Sequence, residues 1–232
     1  MTTILAIETS ADLASVALLA NGTVSVLTTT GIATHSQSIL PMIQQLFNTA
    51  NVGIVDCNSI AFGAGPGSFT GVRTACSVAQ GLAFGVGAPV VAINTLEAMA
   101  QACFEKTGAR EIVTLLDARM GEVYWAQYDF SSGLETVIEP RLSAPSQVIA
   151  QGPVVACGNG LNACSGQFFE RNTFLAMYPE IMPHAAVIAN LALRAMTKGL
   201  QVAAKDAQPI YLRNQIALTT AERMQKKSQE LV

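Results

Sequence analysis

Charge is scarce in this sequence. Only 12% of the residues are Asp, Glu, Lys or Arg, and their near balance leaves a formal net charge of −3. A chain that grips nucleic acid by itself carries a basic patch or stripe, and none stands out here. Hydrophobic residues make up 50% of the chain, yet no apolar run reaches about 18 residues without a polar break, so no helix is expected to span a bilayer. So little charge beside so much apolar content implies either a large core or apolar surface that a partner covers. Histidine is nearly missing too. His35 and His184 stand far apart with no cysteine beside either, which makes a zinc site hard to build. Cys57, Cys76, Cys103, Cys157 and Cys164 are odd in number and form no CxxC pair. No basic leader precedes the first apolar run, so the thiols are expected to be reduced and the chain cytoplasmic.

Two catalytic words are also missing from the most glycine-rich stretch, 59–86. A P-loop needs Gly-Lys-Ser/Thr after four intervening residues, whereas Gly71 is followed by Val72 and Arg73. A nucleophile elbow needs glycines two before and two after its serine, and Ser68 has Pro66 and Thr70 there. What the stretch does contain is an apolar strand at 60–62, a glycine turn at 63–67, and a helix capped by Ser68 or Thr70. Gly71, Ala75, Ala79 and Ala83 recur every fourth position, so this helix carries a face of small side chains that another backbone can approach closely. A plain strand-turn-helix in an α/β core explains this as well as an anion at the loop or a protein at the helix face. Free N–H groups at a helix start attract anions only weakly.

Taken in order, the chain reads as apolar strands at 4–7 and 14–19, an Asn21-Gly22 hairpin turn, and a strand at 24–30. Ile39, Met42, Ile43, Leu46 and Ala50 then fall at helical spacing, with Leu40 and Phe47 beside them. Thr34 with Gln37 as a capping box would leave Pro41 kinking this helix; capping at Ser38 would put Pro41 in the first turn, and both remain open. A strand at 89–93 and a helix at 96–104 ending near Gly108 complete a βββαβαβα order. It begins again with strands at 112–116 and 122–128, joined by the polar turn 117–121. A strand near 136–142, a short helix at 146–151 and a strand at 154–156 ending in Gly158-Asn159-Gly160 follow. A strong helix at 185–196 closes with Lys198-Gly199, and 223–232 reads as a solvated tail. The halves look duplicated, divided between Thr95 and Glu111, giving subdomains 1–98 and 99–232.

A duplicated βββαβα unit with an acidic turn after each first strand resembles the α/β fold of actin, sugar kinases and the Hsp70 ATPase. ILAIETS at the N-terminus, GPGSFTGVR at 65–73, LDARMGEVYWA at 116–126 and PIYLR at 209–213 resemble the TsaB (YeaZ) family almost end to end. The resemblance implies a binding subunit without catalytic or metal residues of its own. It would act with a larger paralogue, TsaD, and a small ATPase, TsaE, to form threonylcarbamoyladenosine beside the anticodon of tRNAs reading codons that begin with A. The paralogue holds a metal with two histidines four apart; here His35 is followed four later by Ile39, so that pair is absent. The family's partner docks on the two N-terminal helices, which implies an interface of His35, Ile39, Met42, Ile43, Leu46, Val72, Arg73, Ala75, Cys76 and Ala79. Covering the chain's own sheet is the competing role for these residues. The same surface implies a homodimer when the chain is alone, with tRNA met only through the complex and no membrane contact. Thr9, Ser10, Gly65, Gly67, Ser68, Thr70 and Asp117 would lie near an anion or nucleotide. ATP or ADP would be held at the junction with the partner and not firmly by this chain. Asp117 serves equally well as a turn acid bonding its local backbone. The rivals are a small-molecule kinase or ATPase of the same fold, and a metallopeptidase, for which no HExxH exists.

Overall fold

The structure is a computed structural model that describes residues 2–30, 35–168 and 172–213; the side chains of residues 35 and 36 lie outside that description. Alternating and fully apolar runs give β1 (Ile4–Glu8), β2 (Leu13–Ala20) and β3 (Thr23–Thr30), paired antiparallel. Asn21 and Gly22 turn β2 into β3 at φ 53 and 77, the left-handed pair such a tight turn requires. Then come α1 (His35–Ala50), β4 (Ser59–Gly65), α2 (Phe69–Val86), β5 (Val90–Asn94) and α3 (Thr95–Thr107). Parallel pairing of β1, β4 and β5 gives the sheet order β3-β2-β1-β4-β5. Ser68 caps α2 by accepting from Gly71 N, and Gly87 and Gly108 close α2 and α3 in the left-handed conformation.

The second half repeats the plan with β6 (Glu111–Asp117), β7 (Val123–Asp129), β8 (Glu135–Ser143), β9 (Val154–Cys157), α4 (Gly160–Ala163), β10 (Phe174–Tyr178) and α5 (Ala185–Thr197). Its sheet runs β10-β9-β6-β7-β8, the order of the first sheet read from the other end. This duplication is the actin, sugar-kinase and Hsp70-ATPase plan. Two expectations change in the second half. The helix expected at 146–151 is only a 3₁₀ turn, Pro145–Gln147, after which Val148 plugs the core, fully buried. Edge strand β10 is an addition to the expected elements: its five residues are all apolar but alternate half-buried and exposed at the sheet edge. Helix α1 begins at His35, so Pro41 lies inside it; Thr34 and the tail 223–232 fall outside the described residues.

Packing decides what the helices can offer. Against one face of the first sheet, α1 and α2 bury Ile39, Met42, Ile43, Leu46, Ala75, Cys76 and Ala79 with Leu5, Val16, Leu18 and Phe62. The other face is covered by α5, whose Val187, Ile188 and Leu191 meet Ile4, Leu19, Ala61 and Ile93. A cut after residue 98 therefore follows the chain order but not the packing, because the last helix of the second half completes the first lobe. On the second sheet, α3 covers one face through Leu96, Met99 and Cys103. Val148, Leu161 and Cys164 cover the other.

Candidate functional site

The end of β1 and the glycine loop lock together. Ser68 N donates to Ser10 O at 2.7 Å, and Thr9 Oγ1 donates to Gly71 O at 2.6 Å. A Cβ on Gly67 would stand 2.6 Å from Ser10 O, and one on Gly71 would run into Thr9 O. A Cβ on Gly65 would stand 2.8 Å from Ile210 O. These glycines are small because protein backbone fills the space above them. Thr9 and Gly65 turn inward, against the expectation that they face an anion, because the Thr9 hydroxyl and the Gly65 N–H are spent on Gly71 O and Thr95 Oγ1 and a phosphate cradle leaves its donors open to the ligand; Gly67 keeps a place on the wall of the cavity between the lobes. Thr95 Oγ1 completes the lock, accepting from Gly65 N at 3.2 Å and donating to Ser10 Oγ at 3.4 Å.

Ser10, Ser68, Thr70 and Asp117 do come together, around a cavity of about 380 Å³ between the lobes. On the far wall, Asp117 accepts from Arg119 N at 2.8 Å, and Asn159 Oδ1 accepts from Asp117 N at 2.9 Å. Asp117 is thus a turn acid, and its outer oxygen pairs with Arg119 at 3.3 Å, while Asp12 reaches the same guanidinium at 3.8 Å. Two carboxylates sharing one exposed guanidinium make a poor seat for a polyphosphate. The turn itself is strained: Arg119 and Met120 sit at φ 64 and 57, where non-glycine residues are uncommon.

The 209–213 segment, which in sequence is only a family word, straps the two lobes together. Ile210 N donates to Ala64 O at 2.7 Å in the first lobe. Three residues on, Arg213 donates to Ala118 O at 3.1 Å and pairs with Glu122 at 2.7 Å in the second. Between them Tyr211 accepts a 2.8 Å hydrogen bond from Arg73 Nε, and the Arg73 guanidinium lies 3.8 Å over the Phe69 ring. Nothing in local periodicity signals such a strap, because its contacts lie over 90 residues away in the chain.

Of the expected interface residues, Arg73 alone is exposed on α2. Ile39, Met42, Ile43, Leu46, Val72, Ala75, Cys76 and Ala79 are at most 9% exposed and pack inside the chain, so the expectation that they face a partner is corrected. Their spacing was read rightly as apolar, but two neighbouring helices on one sheet use that width themselves. His35 opens α1, and its side chain lies outside the described residues. The outer faces instead present Leu40, Pro41, Gln44, Gln45 and Asn48 on α1, and Phe69, Arg73, Ser77, Gly81 and Phe84 on α2. Leu40 is 52% exposed and Phe84 82%.

His184 caps α5 by accepting from Ala186 N through Nδ1, and burial pushes its pKa below the usual imidazole value. Among the described residues no three His, Cys, Asp or Glu side chains gather where a metal ion would fit, and no helix is long and apolar enough to cross a membrane. All five cysteines are buried free thiols.

A family model described as TsaD, tRNA N6-adenosine threonylcarbamoyltransferase, matches residues 29–220. The chain is 37% identical over 221 residues to the tRNA threonylcarbamoyladenosine biosynthesis protein TsaB of Escherichia coli (strain K12), covering 92% of this chain and 96% of that one. The TsaB of Haemophilus influenzae is 38% identical over 226 residues, covering 92% and 94%. YeaZ from Pseudomonas aeruginosa superposes with a TM-score of 0.84 at 34% identity, over 91% of this chain and 100% of that one. A second P. aeruginosa crystal structure, described as uncharacterized with similarity to the peptidase YeaZ, gives 0.86 at 35% identity, over 92% and 100%. With sequence and fold both matching over nearly the full length of these relatives, the chain belongs to the TsaB (YeaZ) family.

Proposed function

We propose that this chain is a non-catalytic binding subunit in the formation of threonylcarbamoyladenosine on tRNA. It docks the larger paralogue TsaD through the outer faces of α1 and α2 and works with the small ATPase TsaE. The TsaB names of its relatives support the pathway. The observation that carries the subunit role is the filled loop: Thr9 and Ser10 backbone occupies the space above Gly67 and Gly71, and both arginines of the cleft are already paired, Arg119 with Asp12 and Asp117 and Arg213 with Glu122. The residues of this cleft do not fit a triphosphate, so ATP or ADP belongs at the junction with the partner, held mainly by the partner's groups. Alone, the chain pairs with itself through the same helices, meets tRNA only in the complex, and resides in the cytoplasm.

The test is reconstitution. The purified chain should bind the larger paralogue in a sizing experiment and should make no threonylcarbamoyladenosine unless the paralogue, the ATPase and a threonylcarbamoyl-adenylate supply are present. ATP hydrolysis at ordinary enzyme rates by the chain alone would favour the kinase reading, which the inter-lobe cavity keeps as the alternative.

A further inference from the structure

The strap touches both lobes, lines the cavity, and reaches the outer face of α2. Phe69 and Arg73 lie in the first turns of α2 and are exposed, as is Tyr211. The three side chains form one patch: Arg73 stacks on Phe69, hydrogen-bonds Tyr211, and lies 5.7 Å from the Tyr211 ring, while the two rings are 5.8 Å apart. No acidic residue occupies the first turn of α2, and the ion pairs among the described residues do not involve Arg73. Its charge is exposed on the outer face of α2, so a partner that docks there with a carboxylate would draw on Arg73 directly.

We propose that Arg73 and Tyr211 couple partner docking on α2 to the geometry of the inter-lobe cleft, with the 210–213 strap as the connecting element. Only two peptide units, at most about 7 Å of chain, separate Tyr211 from Arg213. Ile210 is pinned to the end of β4 and Arg213 to the β6–β7 turn. A segment that short and held at both ends transmits a displacement of Tyr211 because it has no slack to absorb one. The receiving end is the turn in which Arg119 and Met120 hold left-handed backbone, and Arg213 Nη1 also lies 3.9 Å from Met120 Sδ. A partner that re-aims Arg73 thus loosens or tightens the grip of one lobe on the other. By reciprocity, anything that shifts the second lobe alters affinity at α2 by the same factor.

Three backbone amides report on the coupling: Ile210 N on Ala64 O, and across the cleft Ala118 N on Glu122 O and Glu122 N on Arg119 O. In the free full-length chain, Arg73→Ala should speed hydrogen exchange at Ile210, Ala118 and Glu122 about tenfold, with β5 exchange unchanged. Tyr211→Phe, which removes only the hydroxyl, should give a smaller increase at the same amides. Unchanged exchange at Ala118 and Glu122, or an equal rise in β5 showing general loosening, overturns the coupling. A second arm rests on the docking proposed above. Glu122→Gln, on the lobe away from α2, should weaken binding of the larger paralogue about fivefold in the parent and not at all in an Arg73→Ala background. Equal losses in both backgrounds overturn the coupling. Failure of the parent itself to bind the paralogue would instead sink the proposed function, while the exchange arm would still decide the coupling.

Discussion

Burying a carboxyl away from water with one oxygen unpartnered is costly, and Glu8 is buried in this way. It is fully buried, accepts from Ser10 N through Oε1, and packs its Oε2 against Gly63; among the described residues Oε2 has no hydrogen-bond partner. Burial raises its pKa from 4.5 to about 7, against the hydrogen bonds from Ser10 and Thr9, which lower it. A folded pKa above the unfolded one means the folded chain holds the proton longer. The contribution of Glu8 to stability is therefore complete below about pH 4.5, falls as pH rises to about 7, and is flat above; at about 1.4 kcal/mol per unit the loss is of the order of 3 kcal/mol. Denaturant titrations across this window should show the decline in the parent, and Glu8→Gln should flatten it. An identical pH profile in the variant would mean the carboxyl stays ionised. Glycine gives a second contrast at this scale. Gly71→Ala pushes a methyl into Thr9 O and should cost roughly 1–3 kcal/mol or more. Gly81→Ala, with open space around it in the same helix, should add about 0.5–1 kcal/mol. Thermal melts that rank the two the other way would remove the backbone lock between the first turn and the glycine loop.

Helices α1 and α2 show where the sequence was legible and where it stopped. Their existence, a cap at Ser68 and the left-handed glycine that ends α3 follow from spacing and local chemistry, and all are present, while the Gly87 stop of α2 is added by the structure. Which apolar residue faces the sheet and which faces outward is a tertiary fact, and an apolar sector wider than one stripe does not decide it. Helix α1 lies beside α2 as well as over the sheet, so Met42 at 9% and Leu46 at 3% exposure are consumed internally. The strap was illegible for a different reason. PIYLR carries no periodicity, and its partners Ala64, Arg73, Ala118 and Glu122 are assembled only by the fold. Charge substitutions on α1 and α2 therefore divide into two classes. Met42→Glu or Leu46→Glu buries an unpaired carboxylate at a cost of several kcal/mol and should leave the chain unfolded by circular dichroism. Leu40→Glu should stay folded, within about 0.5 kcal/mol of the parent. Phe84→Lys should as well, since it places a cation near a helix C-terminus. If α1 and α2 are the docking face, these two folded variants lose the larger paralogue in sizing experiments. Folded Met42→Glu would show that the helix sits away from the sheet.

At the scale of the whole molecule, the duplicated topology invites a picture of two independent domains, and the layering contradicts it. The first sheet has two faces to cover. Its own helices cover one, and α5, which arrives from the end of the second half, covers the other. Its N-terminal backbone is also tied in, since Ala185 N donates to Ser15 Oγ in β2 at 2.9 Å. Val187, Ile188 and Leu191 are large and buried there beside Ala185, Ala189 and Ala192. At about 1.5–3 kcal/mol for each large side chain, α5 contributes roughly 5–9 kcal/mol, comparable with the entire net stability of a typical domain. A fragment of residues 1–98 thus leaves Ile4, Leu19, Ala61, Val91 and Ile93 facing water and should show no cooperative melt by circular dichroism. Adding a peptide of residues 183–200 in trans should restore one and protect the amides of β1 and β4 from exchange. The full chain should unfold in a single transition by both circular dichroism and exchange. A monomeric, cooperatively melting 1–98 fragment would show instead that the first lobe stands without α5, and that the division in chain order is also a division in energy.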